Sequence, residues 1–268
     1  MSAPIPVLAT IAEACRLVLQ RRSDLLRVGL VFLLGSFALD IMVFNYVLPM
    51  LAATTTSAAG PPVMDNRLPG SLLLVLITNF LLLSVFGVGW HRLVLLGPEK
   101  VGAGLGVQLG LRELRYFVRL WVCFIAMVAV VAFLSMIEVG IALRLGVSPY
   151  DTLPIAYLGL VPIAAFAIGR LGPSFAAISL DLPSELSRSW RTTAGNSARL
   201  LALYLLAGFG WFAVPALLGV FAGVLGLGQL APYALLFVSA FVSTALLAVL
   251  VTINALVFRQ LVSMPGPA

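Results

Sequence analysis

The chain has 268 residues, 62% of them hydrophobic and only 10% charged, with a mean hydropathy of +1.12. A soluble domain of that composition would lack the charged surface that keeps it in solution, and the apolar runs use so much of the length that no soluble enzyme domain fits beside them. The net charge of +6 is almost all arginine, Lys100 being the only lysine, and the arginines lie at the ends of apolar runs. Membrane topology rather than nucleic-acid binding therefore accounts for the basic balance.

A membrane span needs about 20 apolar residues to cross ~30 Å of hydrocarbon, and the chain offers about six such runs. Before the first lies Pro6–Gln20, an amphipathic segment with Glu13, Arg16 and Gln20 on one face and Leu8, Ile11, Cys15 and Val18 on another. Arg21, Arg22 and Arg27 follow, then a first span over Val28–Met50. A cleaved signal peptide ending at the small residues Ser57-Ala58-Ala59 is the rival reading. The long polar leader, the length of the apolar run and Asp40 within it argue against that reading.

Ala52–Gly70 reads as a loop, and a second span over Ser71–Leu95 ends in Trp90-His91-Arg92. The connector Gly97–Arg115 carries Gly102, Gly104, Gly106 and Gly110, but no predicted strand precedes them, so they do not make a phosphate-cradling loop. Gln108, Arg112, Arg115 and Arg119 form a polar stripe leading into a third span, Tyr116–Leu143. The fourth span starts at Pro154 and runs to Gly169 or, past Arg170 and Pro173, to Leu180; Pro162 and Pro173 can kink it.

Ser184–Arg199 is then one of the few long polar stretches. Ser184 before Glu185 is a helix-start signal, and Gly195-Asn196 is a stop signal through the left-handed conformation both residues tolerate. Leu182, Leu186, Trp190 and Thr193 fall on one side and Arg188 and Arg191 on the other, so a short interfacial helix with Trp190 at headgroup depth is expected. The fifth span, Leu200–Leu225, contains the pair Gly219/Gly223, a spacing that permits close helix contact between copies. The sixth, Pro232–Phe258, ends at Arg259, and the tail Met264–Ala268 is expected to fray.

Six spans place fourteen of the sixteen basic residues on one side and only Arg67 and Arg144 on the other. The positive-inside rule then makes both termini cytoplasmic. The segments divide as residues 1–27, a cytoplasmic amphipathic segment; 28–259, the transmembrane domain; and 260–268, a cytoplasmic tail. A threefold hairpin repeat is also expected. Three basic entries, Arg16–Arg27, Gln108–Arg119 and Arg188–Arg199, share the same spacing, and Arg92, Arg170 and Arg259 close the second span of each hairpin.

Polar groups inside spans are few. Asp40, Asn79, Glu138 and Asn254 either join helices by hydrogen bonds or line a path for a cation, proton or polar head group. His91, the only histidine, sits between Trp90 and Arg92 and reads as an interfacial anchor. Cys15 and Cys123 are expected far apart, so neither a disulfide nor a metal site is expected, and no cofactor is implied.

Gly169–Leu201, GRLGPSFAAISLDLPSELSRSWRTTAGNSARLL, resembles a membrane-domain family found fused to some glycerophosphodiester phosphodiesterases and in related bacterial inner-membrane proteins. Arg170, Pro173, Ser189, Trp190, Thr193, Gly195 and Asn196 carry the resemblance, and Trp90–Leu93 with Gly97-Pro98 is similar to the end of an earlier span in such proteins. The match covers about a fifth of the chain. In the fused proteins catalysis belongs to a separate soluble barrel that has no counterpart in these residues, so the resemblance implies no phosphodiesterase activity.

The expected architecture is all-α: a bundle of six spans in a bacterial-type inner membrane with cytoplasmic amphipathic helices. The expected function is non-enzymatic engagement of membrane lipids, anionic ones included, or of a protein partner or second copy. Trp90, Arg92, Arg170, Arg188, Trp190, Arg191 and Arg199 are the residues placed for it. A small transporter or permease component using Asp40, with Asn79 and Asn254 nearby, is the alternative. A membrane accessory to phospholipid or glycerophosphodiester metabolism is the third reading, and no acid/base pair supports an intramembrane enzyme.

Overall fold

A computed structural model describes residues 4–55, 67–101, 109–146, 149–224, 226 and 232–262, apart from the side chains of 52–55, 145, 149–160, 211–212, 215 and 222. Gly102, Gly104, Gly106, Gln108 and the tail Met264–Ala268 lie outside the described residues. All regular structure among them is helical. Helix α1 is Val7–Gln20, α2 Arg22–Met42, α3 Leu48–Thr55, α4 Leu68–Leu96, α5 Leu111–Leu145, α6 Pro149–Ser179, α7 Leu186–Thr192, α8 Ser197–Val224 and α9 Pro232–Val262. A π-helical turn, Val43–Val47, joins α2 to α3 without a break.

Among the described residues five helical stretches are long and apolar enough to cross a membrane: Arg22–Leu51, Leu68–Leu96, Leu111–Arg144, Val161–Ser179 and Pro232–Val262. Their length and composition are those of an integral membrane protein's helices. Helix α8, 28 residues and about 42 Å long at 1.5 Å per residue, is comparable in length.

Three long helices form the centre. Helices α4, α6 and α9 touch one another pairwise, and each remaining long helix packs against two of them. Helix α2 contacts α4 and α9, α5 contacts α4 and α6, and α8 contacts α6 and α9. Helix α1 lies across α9 and α8 and packs against both. Close approach follows small residues. A Cβ on Gly35 of α2 would come within 2.6 Å of Leu82 on α4, and one on Gly87 of α4 within 2.6 Å of the Tyr116 hydroxyl on α5.

Buried side chains concentrate at one end, where α4, α6 and α9 finish and α1, α5 and α8 begin. Phe86, Trp90, Leu93, Ala176, Ala248, Val251 and Ala255 are among them. A second cluster joins Ile5 and Ala14 to Leu200, Leu203, Ile253 and Leu256. This end carries thirteen of the fourteen residues expected together on the basic side, Lys100 following just beyond α4.

Helix termini depart from expectation where tertiary contacts intervene. Helix α7 is capped by Glu185, not Ser184, and the Glu185 side chain makes no capping hydrogen bond. It does not end in a left-handed Gly195-Asn196 pair. Thr193 stays right-handed and Ala194–Asn196 form a 3-10 turn straight into α8. Left-handed endings occur instead on α5, at Gly146 (φ 67°), and on α6. Asp181 has φ 57°, the Leu182 N–H donates to the Ala177 carbonyl, and the Asp181 N–H donates to that of Ile178. That is a Schellman ending with an aspartate where glycine is usual. Among the described residues the Gly219/Gly223 pair meets nothing: a Cβ on either would have no such neighbour within 4 Å.

Candidate functional site

The basic end is held by arginines and aromatics that reach across helices. Arg170, in α6, is only 5% exposed. Its guanidinium lies 4.3 Å from the Trp190 ring centroid and 5.8 Å from that of Phe166. Nη2 donates to the Trp190 carbonyl (2.7 Å) and Nη1 to the Ser197 hydroxyl (2.6 Å). The Ser189 hydroxyl donates back to the Arg170 carbonyl (2.7 Å), and that of Thr193 to the Ser189 carbonyl (2.7 Å). A planar donor fork suits this geometry, because one guanidinium can stack and donate to two acceptors at once. Arg170 thus fastens α7 to α6 and to the first turn of α8.

Trp90 faces into the bundle. It is fully buried, stacks on Phe86 (6.0 Å, 9°) and donates Nε1–H to the Thr252 hydroxyl of α9 (2.8 Å). His91 is likewise fully buried. Its Nδ1 bonds the Gly87 carbonyl (2.7 Å), its ring meets Tyr116 (6.0 Å), and Nε2 has no hydrogen-bond partner among the described residues. Arg92 donates to the carbonyls of Ser179 (3.2 Å) and Lys100 (3.3 Å), tying α4 to the end of α6. These residues read as anchors in sequence because periodicity locates a helix end without saying which elements cover it.

Four of the seven expected binding residues remain at the surface. Arg188, Trp190 and Arg191 on α7 and Arg199 at the start of α8 are exposed, Trp190 with one ring face on Arg170. Among the described residues the ion pairs are Arg27 with Asp24, Arg112 with Asp181 and Arg259 with Glu13, so none of the three exposed arginines is paired with an acid. Beside them a cleft of about 170 Å³ opens between the end of α6, α7 and the end of α9. Pro173, Ala177, Phe258 and Leu261 wall it, and Arg188 and Glu185 also line it.

The intramembrane polar residues do not converge. Phe37 of α2 meets Phe237 of α9 edge to face at 5.3 Å, which sets half-buried Asp40 near the Pro232 end of α9. Asn254 lies about 25 Å farther along α9 at 1.5 Å per residue. It is buried, and its side-chain oxygen accepts the Tyr204 hydroxyl of α8 beside Gly172 of α6. Asn79 on α4 is exposed. Glu138 on α5 is half-buried, and neither carboxylate oxygen has a hydrogen-bond partner among the described residues. Asn254 is therefore not near Asp40, and the four make no continuous polar line.

Sequence reasoning missed Tyr116 and Tyr204. Tyr116 of α5 covers Gly87 of α4 and packs on Phe175 of α6 (4.9 Å). Tyr204 of α8 covers Gly169 and Gly172 of α6 and bonds Asn254 of α9. Each tyrosine bridges two central helices. The signal available was a tyrosine within or just after a basic entry segment, with glycine late in the preceding span.

Cys15 is exposed and Cys123 half-buried, both as free thiols. No group of three His, Cys, Asp or Glu side chains among the described residues could hold a metal ion. Compared with protein-family models, curated proteins and solved structures, the chain matches none of them.

Proposed function

We propose that this is a six-span protein of a bacterial-type inner membrane whose basic end faces the cytoplasm and binds anionic lipid headgroups through Arg188, Arg191 and Arg199, with Trp190 beside them. Helix α8 is the sixth span. The observation that carries the reading is the division of labour among arginines at one end. Arg92, Arg170 and Arg259 are engaged by the fold, whereas Arg188, Arg191 and Arg199 are exposed and without an acid. An unpaired guanidinium at a membrane boundary is matched by a phosphate, which it binds with a bidentate fork. Arg67 and Arg144, at the opposite ends of α4 and α5, agree with the positive-inside rule.

The threefold hairpin repeat belongs to the same proposal. Helix pairs α2/α4, α5/α6 and α8/α9 each give one central and one outer helix, and Tyr116 and Tyr204 occupy like positions in the second and third. The resemblance of Gly169–Leu201 to membrane domains fused to glycerophosphodiester phosphodiesterases adds a lipid-metabolic setting, in which the chain is an accessory rather than an enzyme. The permease reading through Asp40, Asn79 and Asn254 has no comparable support, because the residues it needs are not together.

Native mass spectrometry from mixed anionic and zwitterionic lipid tests the reading. The wild-type protein should retain anionic lipid preferentially, and Arg188→Gln/Arg191→Gln/Arg199→Gln should lose most of that preference while keeping its fold. Equal retention of both lipid classes by the wild type would overturn it.

A further inference from the structure

Helix α1 has two apolar faces, and the bundle uses only one. Thr10, Ala14 and Val18 are buried. Ile5 and Ala14 pack with Leu200, Ile253 and Leu256, and Val18 joins the cluster of Phe32 and Trp90. On the far side Leu8 (74% exposed), Ala12, Cys15 and Leu19 (73%) point away from the protein. Their spacing of four, three and four residues makes one stripe along a 3.6-residue helix. Arg16 and Arg22 flank the stripe and are exposed. No acid shares it: Glu13 pairs with Arg259 (3.0 Å) and Asp24 lies by Arg27 (3.8 Å).

The position of α1 says what covers that stripe. Its inner face meets α9 at Ile253–Val257. From Pro232 to Ile253, α9 rises about 32 Å at 1.5 Å per residue, close to the ~30 Å of a bilayer's hydrocarbon. Helix α1 therefore lies at the boundary where hydrocarbon ends. The apolar exposure also continues into α2 at Leu26 (54%), just past Arg21, where α1 gives way to a membrane-crossing stretch.

We propose that the outward face of α1 is a lipid-contact surface. The helix lies along the cytoplasmic leaflet with Leu8, Ala12, Cys15 and Leu19 at the acyl-chain boundary and Arg16 and Arg22 among anionic headgroups. The proposal rests on the orientation given above, and it adds a surface that does not involve Arg188, Arg191 or Arg199. It also supplies a route from the lipid to the bundle, because α1 and its junction are tied to three places. The Ile5 N–H donates to the Asn196 side-chain oxygen at the entrance to α8 (3.1 Å), Glu13 holds Arg259 of α9, and Arg21 donates to the Leu93 carbonyl of α4 (2.6 Å).

Cys15 is a native reporter in the middle of the stripe. With Cys123→Ala, a nitroxide on Cys15 is measured in nanodiscs of phosphatidylglycerol and phosphatidylcholine by electron paramagnetic resonance power saturation. A Gln20→Cys label on the flank of the same helix, in a Cys15→Ala/Cys123→Ala background, is the reference. The expected result is several-fold greater accessibility of the Cys15 label to oxygen than to a water-soluble nickel chelate, with the ratio reversed at position 20. Equal nickel accessibility at both positions would place the stripe in water and overturn the proposal. Shielding of the Cys15 label from both reagents, with dipolar broadening from a neighbouring label, would put a second copy on the stripe and overturn it as well. Neither result depends on the arginine substitutions above, so the two readings fail separately.

Discussion

The two ends of the bundle are built by different rules. At the basic end Trp90, His91, Tyr116, Arg170, Tyr204 and Asn254 are buried and reach between helices. At the other end no residue in the most apolar window of α5 is buried, and Phe133, Met136, Phe209 and Phe221 stand exposed. In water such a half would not hold, but lipid tails are as apolar as the side chains, so hydrophobic burial does not drive helices together there. Specificity then falls to the end where backbone and side-chain polar groups leave the hydrocarbon and must be satisfied by particular partners. The basic end assembles the bundle, and in the proposed orientation it presents what is left over to the membrane surface.

The largest expected effect is at the clamp. Arg170→Leu removes two charged hydrogen bonds and a cation–π contact, which costs roughly 3–5 kcal/mol. The thermal unfolding midpoint in nanodiscs should fall furthest of any variant here, and limited proteolysis should open residues 186–196. Arg170→Lys should recover only part, because an ammonium cannot fork between the Trp190 carbonyl and the Ser197 hydroxyl while stacked. An unchanged midpoint for Arg170→Leu would remove the clamp from the account.

Glycine substitutions sharpen the contrast between the ends. A Cβ on Gly172 runs into the Asn254 side-chain oxygen and meets the Tyr204 hydroxyl at 3.2 Å, so Gly172→Ala should cost ~1–3 kcal/mol through overpacking. Gly223→Ala at the other end meets no described neighbour and should stay within ~0.5 kcal/mol. Similar losses at both sites, read as melting shifts, would contradict the comparison. A smaller effect is expected from Trp90→Phe, which keeps the ring on Phe86 but loses the bond to Thr252, worth about 0.5–1.5 kcal/mol. The smallest is Asp181→Asn, which keeps a residue tolerant of positive φ and loses only the pair with Arg112 (2.8 Å), within ~1 kcal/mol at that exposure. Asp181→Val, with a β-branched residue at φ 57°, should melt lower than Asp181→Asn.

Much of the fold was legible because composition and periodicity act locally. The apolar runs, α1 over Val7–Gln20 and the helical starts at Ser197 and Pro232 lie close to where the pattern puts them. What was not legible depends on partners far along the chain. Trp90 is buried because Thr252, 162 positions away, accepts its N–H. Ser184 and Gly195 carry the right local signals, yet α7 starts at Leu186 and runs through a 3-10 turn into α8, because Arg170 holds the Trp190 carbonyl and Ser197. For the candidate site, exposure of Arg188, Arg191 and Arg199 follows the amphipathic pattern. That Arg92 and Arg170 do structural work could not be read from spacing, since both end a span as Arg259 does.

The most direct measurement is the thermal midpoint in nanodiscs as the fraction of phosphatidylglycerol rises at constant bilayer thickness. A ligand that binds only the folded state stabilises it by mass action. The wild-type midpoint should climb with anionic fraction, and that of Arg188→Gln/Arg191→Gln/Arg199→Gln should climb much less steeply from a similar starting value. Parallel climbs in both proteins would mean that these arginines are not where the headgroups bind, and the central claim would be wrong.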